Sequence, residues 1–120
     1  MMKNKTATRY FSNRQEKHIA KELGGRKTAN SGATAFSKGD VSLDAWLIEA
    51  KTKTTPSKSI TIQKEWLEKN AEEAFAMQKQ YNALAFSFGE IHNDKQYYII
   101  DEETFKHFLK LEAEYVKTEN

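Results

Sequence analysis

Gly39-Asp40-Val41-Ser42-Leu43-Asp44-Ala45-Trp46-Leu47-Ile48-Glu49-Ala50-Lys51 is the stretch on which the reading of this chain turns. Trp46, Leu47 and Ile48 form a continuous apolar run, the pattern of a strand covered on both faces and therefore central in a sheet. Strand side chains alternate, so Glu49 and Lys51 point the same way at its end. A hairpin turning near Ser42 to Asp44 brings Asp40 beside them. The competing reading is an edge strand ending in solvated charges, since edge strands carry Lys and Glu against aggregation.

Two carboxylates and an ammonium converging at strand ends suit a hard divalent cation with a lysine next to its water, as in phosphodiester hydrolysis. The triplet by itself is weak, because a chain with 17 acids and this many lysines yields roughly two acid-x-Lys triplets by chance. Glu49-Ala50-Lys51 is the only such triplet here.

At 120 residues the prior is one domain with a modest core. Apolar residues at 38% and charged ones at 30% indicate a globular chain rather than a disordered one. No apolar run has the length of a membrane span, and the first residues lack a signal-peptide core, so a cytoplasmic protein is expected. Cysteine is absent, which excludes disulfides and thiolate metal sites. The net charge is only +2, but residues 1–58 carry +7 and residues 59–120 carry −5. The basic half contains the candidate site, which favours a polyanion meeting that half. The plainer account is that the later helices are simply acidic.

The surrounding pattern predicts a flexible basic arm over residues 1–8, a domain over 9–116 and a tail over 117–120. A first helix is expected from Ser12, with Gln15 in capping-box position, to Gly24-Gly25. Its inward stripe is Ile19, Ala20 and Leu23, and Glu16 shares that face. A carboxylate there needs a cation, either a metal or Arg26, unless the helix turns it to the rim. A strand from Arg26 to Ala29 precedes a small-residue loop, 30–38, able to approach a phosphate or simply to connect. Residues 52–59 form a lysine-spaced, hydroxyl-rich loop suited to phosphate contact or to solvent. A helix from Gln63 to about Gln80 should bury Trp66, Leu67, Ala71, Ala74 and Phe75. Leu84, Phe86 and Phe88 mark a strand, Gln96 to Ile100 another, and Asp101 caps a last helix with Phe105, Phe108, Leu109 and Tyr115 on one face. The three histidines have no ligand spacing. The resulting order, α-β-β-β-α-β-β-α, is an α/β fold: a mixed sheet of about five strands flanked by helices.

At this point the chain resembles the PD-(D/E)xK nuclease superfamily, and within it the small Holliday-junction-resolvase-like endonucleases of phages and prophages. The resemblance is carried by Arg14-Gln15-Glu16, Gly24-Gly25-Arg26, Ser31-Gly32-Ala33, Lys38-Gly39-Asp40-Val41, Leu47-Ile48-Glu49-Ala50-Lys51-Thr52-Lys53, Lys58-Ser59-Ile60 and Glu72-Glu73-Ala74. It spans roughly residues 9–110, and Gly39 stands where the family pattern has proline. It implies a restriction-endonuclease-like core and a Mg²⁺-dependent DNA endonuclease, with Mn²⁺ as substitute. Asp40, Glu49 and the Ala50 carbonyl would bind the metal, Glu16 would complete the shell, and Lys51 would orient or help deprotonate the attacking water. Arg26, Lys27, Ser31, Lys53 and Lys58 would hold the DNA backbone, and the products would be a 5′-phosphate and a 3′-hydroxyl. A chain this short favours recognition of branched or four-way-junction DNA by shape, in recombination or phage DNA processing, by a homodimer. The alternatives are a non-catalytic DNA-binding or assembly protein keeping the nuclease fold, or a nuclease of single-stranded or flap DNA.

Overall fold

In the computed structural model the described residues are 3–27, 40–51, 53, 55–89 and 95–119. They form α1 (Lys3–Leu23), β1 (Arg26–Lys27), β2 (Asp40–Ser42), β3 (Trp46–Lys51), α2 (Lys64–Ala76), β4 (Tyr81–Phe86), β5 (Tyr97–Ile99) and α3 (Glu102–Glu119). This is an α/β arrangement of three helices and an open mixed sheet, in the order β1-β2-β3-β4-β5. Four strands have three residues or more, and β1 adds two paired positions. β3 and β4 run parallel through the α2 crossover, and the other neighbours are antiparallel.

Strand alternation sorts the side chains into two faces. Val41, Ile48, Ala50, Ala83 and Ala85 pack with Ile19 of α1 as the apolar core. The opposite face of β3 and β4 carries Leu47, Glu49, Lys51, Asn82 and Leu84 and receives α2.

Several expectations need correction. α1 starts at Lys3 rather than Ser12, because nothing between them breaks a helix, so Ser12 and Gln15 form no capping box. At its other end Gly24 takes the left-handed conformation expected (φ 72°), and the Gly25 amide donates to the Ala20 carbonyl. α2 is rotated from its apolar stripe: it buries Asn70, Glu73 and Ala74, while Leu67, Ala71 and Phe75 face outward, Phe75 at 85% exposure. The reason is visible in the sheet beneath. Asn70 donates to the Leu47 carbonyl at 3.4 Å and accepts from Asn82 Nδ2 at 2.8 Å, so the polar stripe meets polar partners.

α3 begins as expected, with the Thr104 amide donating to Asp101 Oδ1 at 2.8 Å. Phe105, Phe108, Leu109 and Tyr115 share a face, but that face is exposed. The helix touches the sheet through an aromatic group, with Phe108 against Trp46 and Tyr81 (5.8 and 5.1 Å between ring centroids) and His107 Nε2 2.9 Å from the Tyr81 hydroxyl. No described helix is long and apolar enough to cross a membrane.

Candidate active site at the carboxyl end of β3

The turn between β2 and β3 is closed by the Leu43 amide on the Trp46 carbonyl and tied down by Lys79 Nζ, 2.6 Å from the Leu43 carbonyl. That turn sets the register, and the register sets Asp40 directly opposite Glu49. Directly opposed residues share a face. Asp40 and Glu49 therefore project together toward α2, and both are buried, at 1% and 2% exposure. Lys51 shares their face and places Nζ 3.1 Å from Glu49 Oε2. The same ammonium lies over the Trp66 ring, 4.2 Å from its centroid.

Glu73 of α2, also buried, is the acid hydrogen-bonded to Asp40. Two carboxyl groups form such a bond only with a proton between them. The Asp40 carboxyl is pushed up to about 8, first by burial, then by the hydrogen bond to Glu73 and the charges of Glu73 and Glu49, with Lys69 opposing. Lys69 lies 3.9 Å from Glu73. Three buried carboxyl groups at one end of a sheet are costly for a purely structural role, and a carboxyl shifted as Asp40 is belongs more often to a functional site.

Gln15 of α1, buried on the other side, donates Nε2 to the Lys51 carbonyl at 2.8 Å and to Gln96 Oε1 at 3.0 Å, pinning the end of β3 to the start of β5. An open cleft of about 570 Å³ begins at Glu49 and Lys51 and runs along α2 past Trp66, Glu68, Lys69 and Glu72.

The structure brings Asp40, Glu49 and Lys51 together. Glu16 is buried as its place in α1 implied, but α1 covers the Ile48 and Ala50 face, so Glu73 and not Glu16 is the acid that meets Asp40. Ala50 is buried between Glu49 and Lys51 on the α1 face. Arg26 is exposed opposite Ser42. Lys27 pairs with Val41, but its side chain, like Ser31, lies outside the described residues. Lys53 is half-buried and Lys58 exposed, on a loop whose Ser57 amide donates to the Phe88 carbonyl. Gly89 (φ 82°) accepts that loop so closely that an added Cβ would collide with the Thr55 carbonyl.

Glu73, Gln15 and Trp66 were not read as parts of the site from sequence. Glu73 carried a signal, since it belongs to the Glu72-Glu73-Ala74 piece of the resemblance. Gln15 carried the same kind of signal, in the Arg14-Gln15-Glu16 piece, and Trp66 carried none that separated it from a core residue.

Hard oxygen donors of this kind suit Mg²⁺ or Mn²⁺ better than softer metals. Glu49 Oε1 is buried without a hydrogen-bond partner, as a ligand atom would be. Among the described residues no three His, Cys, Asp or Glu side chains are arranged to enclose an ion, so the protein would supply only part of a coordination shell. That is usual for Mg²⁺, which keeps waters and takes substrate oxygens. No protein-family model, curated protein or solved structure matches this chain.

Proposed function

We propose that the chain is a metal-dependent DNA endonuclease with a restriction-endonuclease-like core, acting on branched or four-way-junction DNA. The observation that carries this reading is the register that sets buried Asp40 across from buried Glu49, with the Lys51 ammonium on Glu49. Asp40, Glu49 and the Ala50 carbonyl would hold Mg²⁺ or Mn²⁺, which when bound supplies Lewis-acid polarisation of the phosphate and acidifies a water. Lys51 orients that water and offsets charge growing on the phosphate oxygens. Glu73 takes the place expected for Glu16 beside Asp40. The Asp40 carboxyl, pushed up to about 8 chiefly by burial, would release its proton on binding the cation.

The acids Glu65, Glu68 and Glu72 along the cleft repel phosphate, so in this reading contact with the DNA backbone falls to Arg26, Lys27, Ser31, Lys53 and Lys58. Symmetric cutting of two strands calls for a homodimer. The expected setting is the cytoplasm of a bacterium or infected cell.

A second reading, a non-catalytic DNA-binding protein with this fold, is favoured by one observation: Glu73 of α2 already lies against the Asp40 carboxyl. Four-way junction, flap and linear duplex substrates, incubated with Mg²⁺ or with EDTA, separate the two. The expected result is junction cleavage with Mg²⁺ only. Binding without cleavage under every condition selects the second reading, and flap cleavage alone moves the substrate class.

A further inference from the structure

Lys51 is held at three points, and the holds differ in kind. Its carbonyl accepts from Gln15, which fixes the backbone. Its ammonium is paired with Glu49 Oε2 and also lies over the indole of Trp66. The ion pair depends on the Glu49 charge, which is the charge a dication at Asp40 and Glu49 would draw on. Attraction to the indole face comes from the ring quadrupole and does not depend on Glu49. A lysine held by Glu49 alone would swing on its four-carbon stem once that charge was engaged elsewhere.

The rotation of α2 supplies the second hold. With Asn70 and Glu73 toward the sheet, Trp66, one turn before Asn70, comes to the cleft wall instead of the core. We propose that Trp66 is a positioning residue that keeps the Lys51 ammonium at the cleft when Glu49 is engaged by a cation. This deepens the nuclease reading and rests on it.

The test compares wild type, Trp66→Phe, which keeps an aromatic face, and Trp66→Leu, which keeps apolar bulk without one. Two quantities are measured: the side-chain NMR shifts of Lys51 with and without Mg²⁺, and kcat and KM on a four-way junction. Ring current should move the Lys51 Hε resonances upfield in wild type, with the displacement surviving saturating Mg²⁺, and Trp66→Leu should abolish it. In Trp66→Leu kcat should fall on the order of tenfold with KM unchanged, and Trp66→Phe should recover most of the loss. If Trp66→Leu does not fold, the wild-type shifts and the Phe variant decide. Loss of the upfield displacement on adding Mg²⁺ to wild type overturns the inference, as does full kcat in a folded Trp66→Leu protein. A displacement that withstands Mg²⁺ in a wild type that cuts no substrate brings down the nuclease reading, and the positioning role with it. Normal wild-type cutting that Trp66→Leu leaves untouched removes the positioning role alone.

Discussion

The two ends of the parallel pair β3 and β4 are built on opposite plans. At the amino end, Trp46 lies opposite Tyr81 and the two meet His107 and Phe108 of α3 in an aromatic group in which the Tyr81 hydroxyl and His107 Nε2 are hydrogen-bonded. At the carboxyl end, one hairpin and one helix drive Asp40, Glu49 and Glu73 into a common buried space. The first end lowers the energy of the fold. The second raises it, and buried acids with such a cost gather at functional sites. Removing an acid's charge at the second end and a ring at the first should therefore separate activity from stability, with opposite signs.

The largest effect belongs to the carboxyl end. Lys51→Ala should lower junction cleavage about 10²–10⁴-fold, the range for a positioned proton-transfer group, and lower the melting temperature as well, since it leaves Glu49 buried without its ammonium. Undiminished cutting would remove the lysine from the chemistry. Asp40→Asn should abolish cleavage yet leave the cation-free protein more stable above pH 8. The sign follows from the carboxyl's being pushed up to about 8 from 3.8. The native state holds a proton that the unfolded chain releases, so this group's contribution is complete below about pH 4 and is lost as pH rises to about 8. Melting temperatures of wild type and Asp40→Asn, measured without cations across that window, should diverge with rising pH. Parallel curves would mean that Asp40 titrates normally.

The amino end should answer in the other sense. Phe108→Ala, which takes a partly buried ring away from Trp46 and Tyr81, is expected to cost about 1–2 kcal/mol by denaturant unfolding while leaving kcat unchanged. A drop in kcat without loss of stability would mean that the two ends are coupled.

How much of this was legible follows the same division. The apolar run Trp46 to Ile48 marked the strand, and the short turn after Ser42 put Asp40 beside Glu49. The left-handed glycine after α1 and the Asp101 cap were equally readable, because each is a local conformational requirement. The facing of α2 was not. Its apolar stripe, Leu67-Ala71-Phe75, is more conspicuous than Asn70 and Glu73, and only the Leu47 carbonyl and Asn82, distant in sequence, show why the polar stripe turns inward. Because Glu73 and Trp66 ride on that rotation, their place at the site was hidden with it. Glu16 was expected there from its place on the inward stripe and from the resemblance, and neither tells which side of the sheet its helix covers.

The smallest effect lies at the rim. Changing Lys53 and Lys58 together to Ala should weaken DNA binding and reduce the slope of log affinity against log salt by about 2. An unaltered slope would take both off the phosphate path.

A crystal of the protein soaked in Mn²⁺ and measured at the manganese absorption edge tests the cation site most directly. The expected result is one anomalous peak within ligand distance of both Asp40 and Glu49, with the Asp40 carboxyl turned away from Glu73. No peak there at saturating Mn²⁺, with the Asp40–Glu73 hydrogen bond intact, would contradict the account.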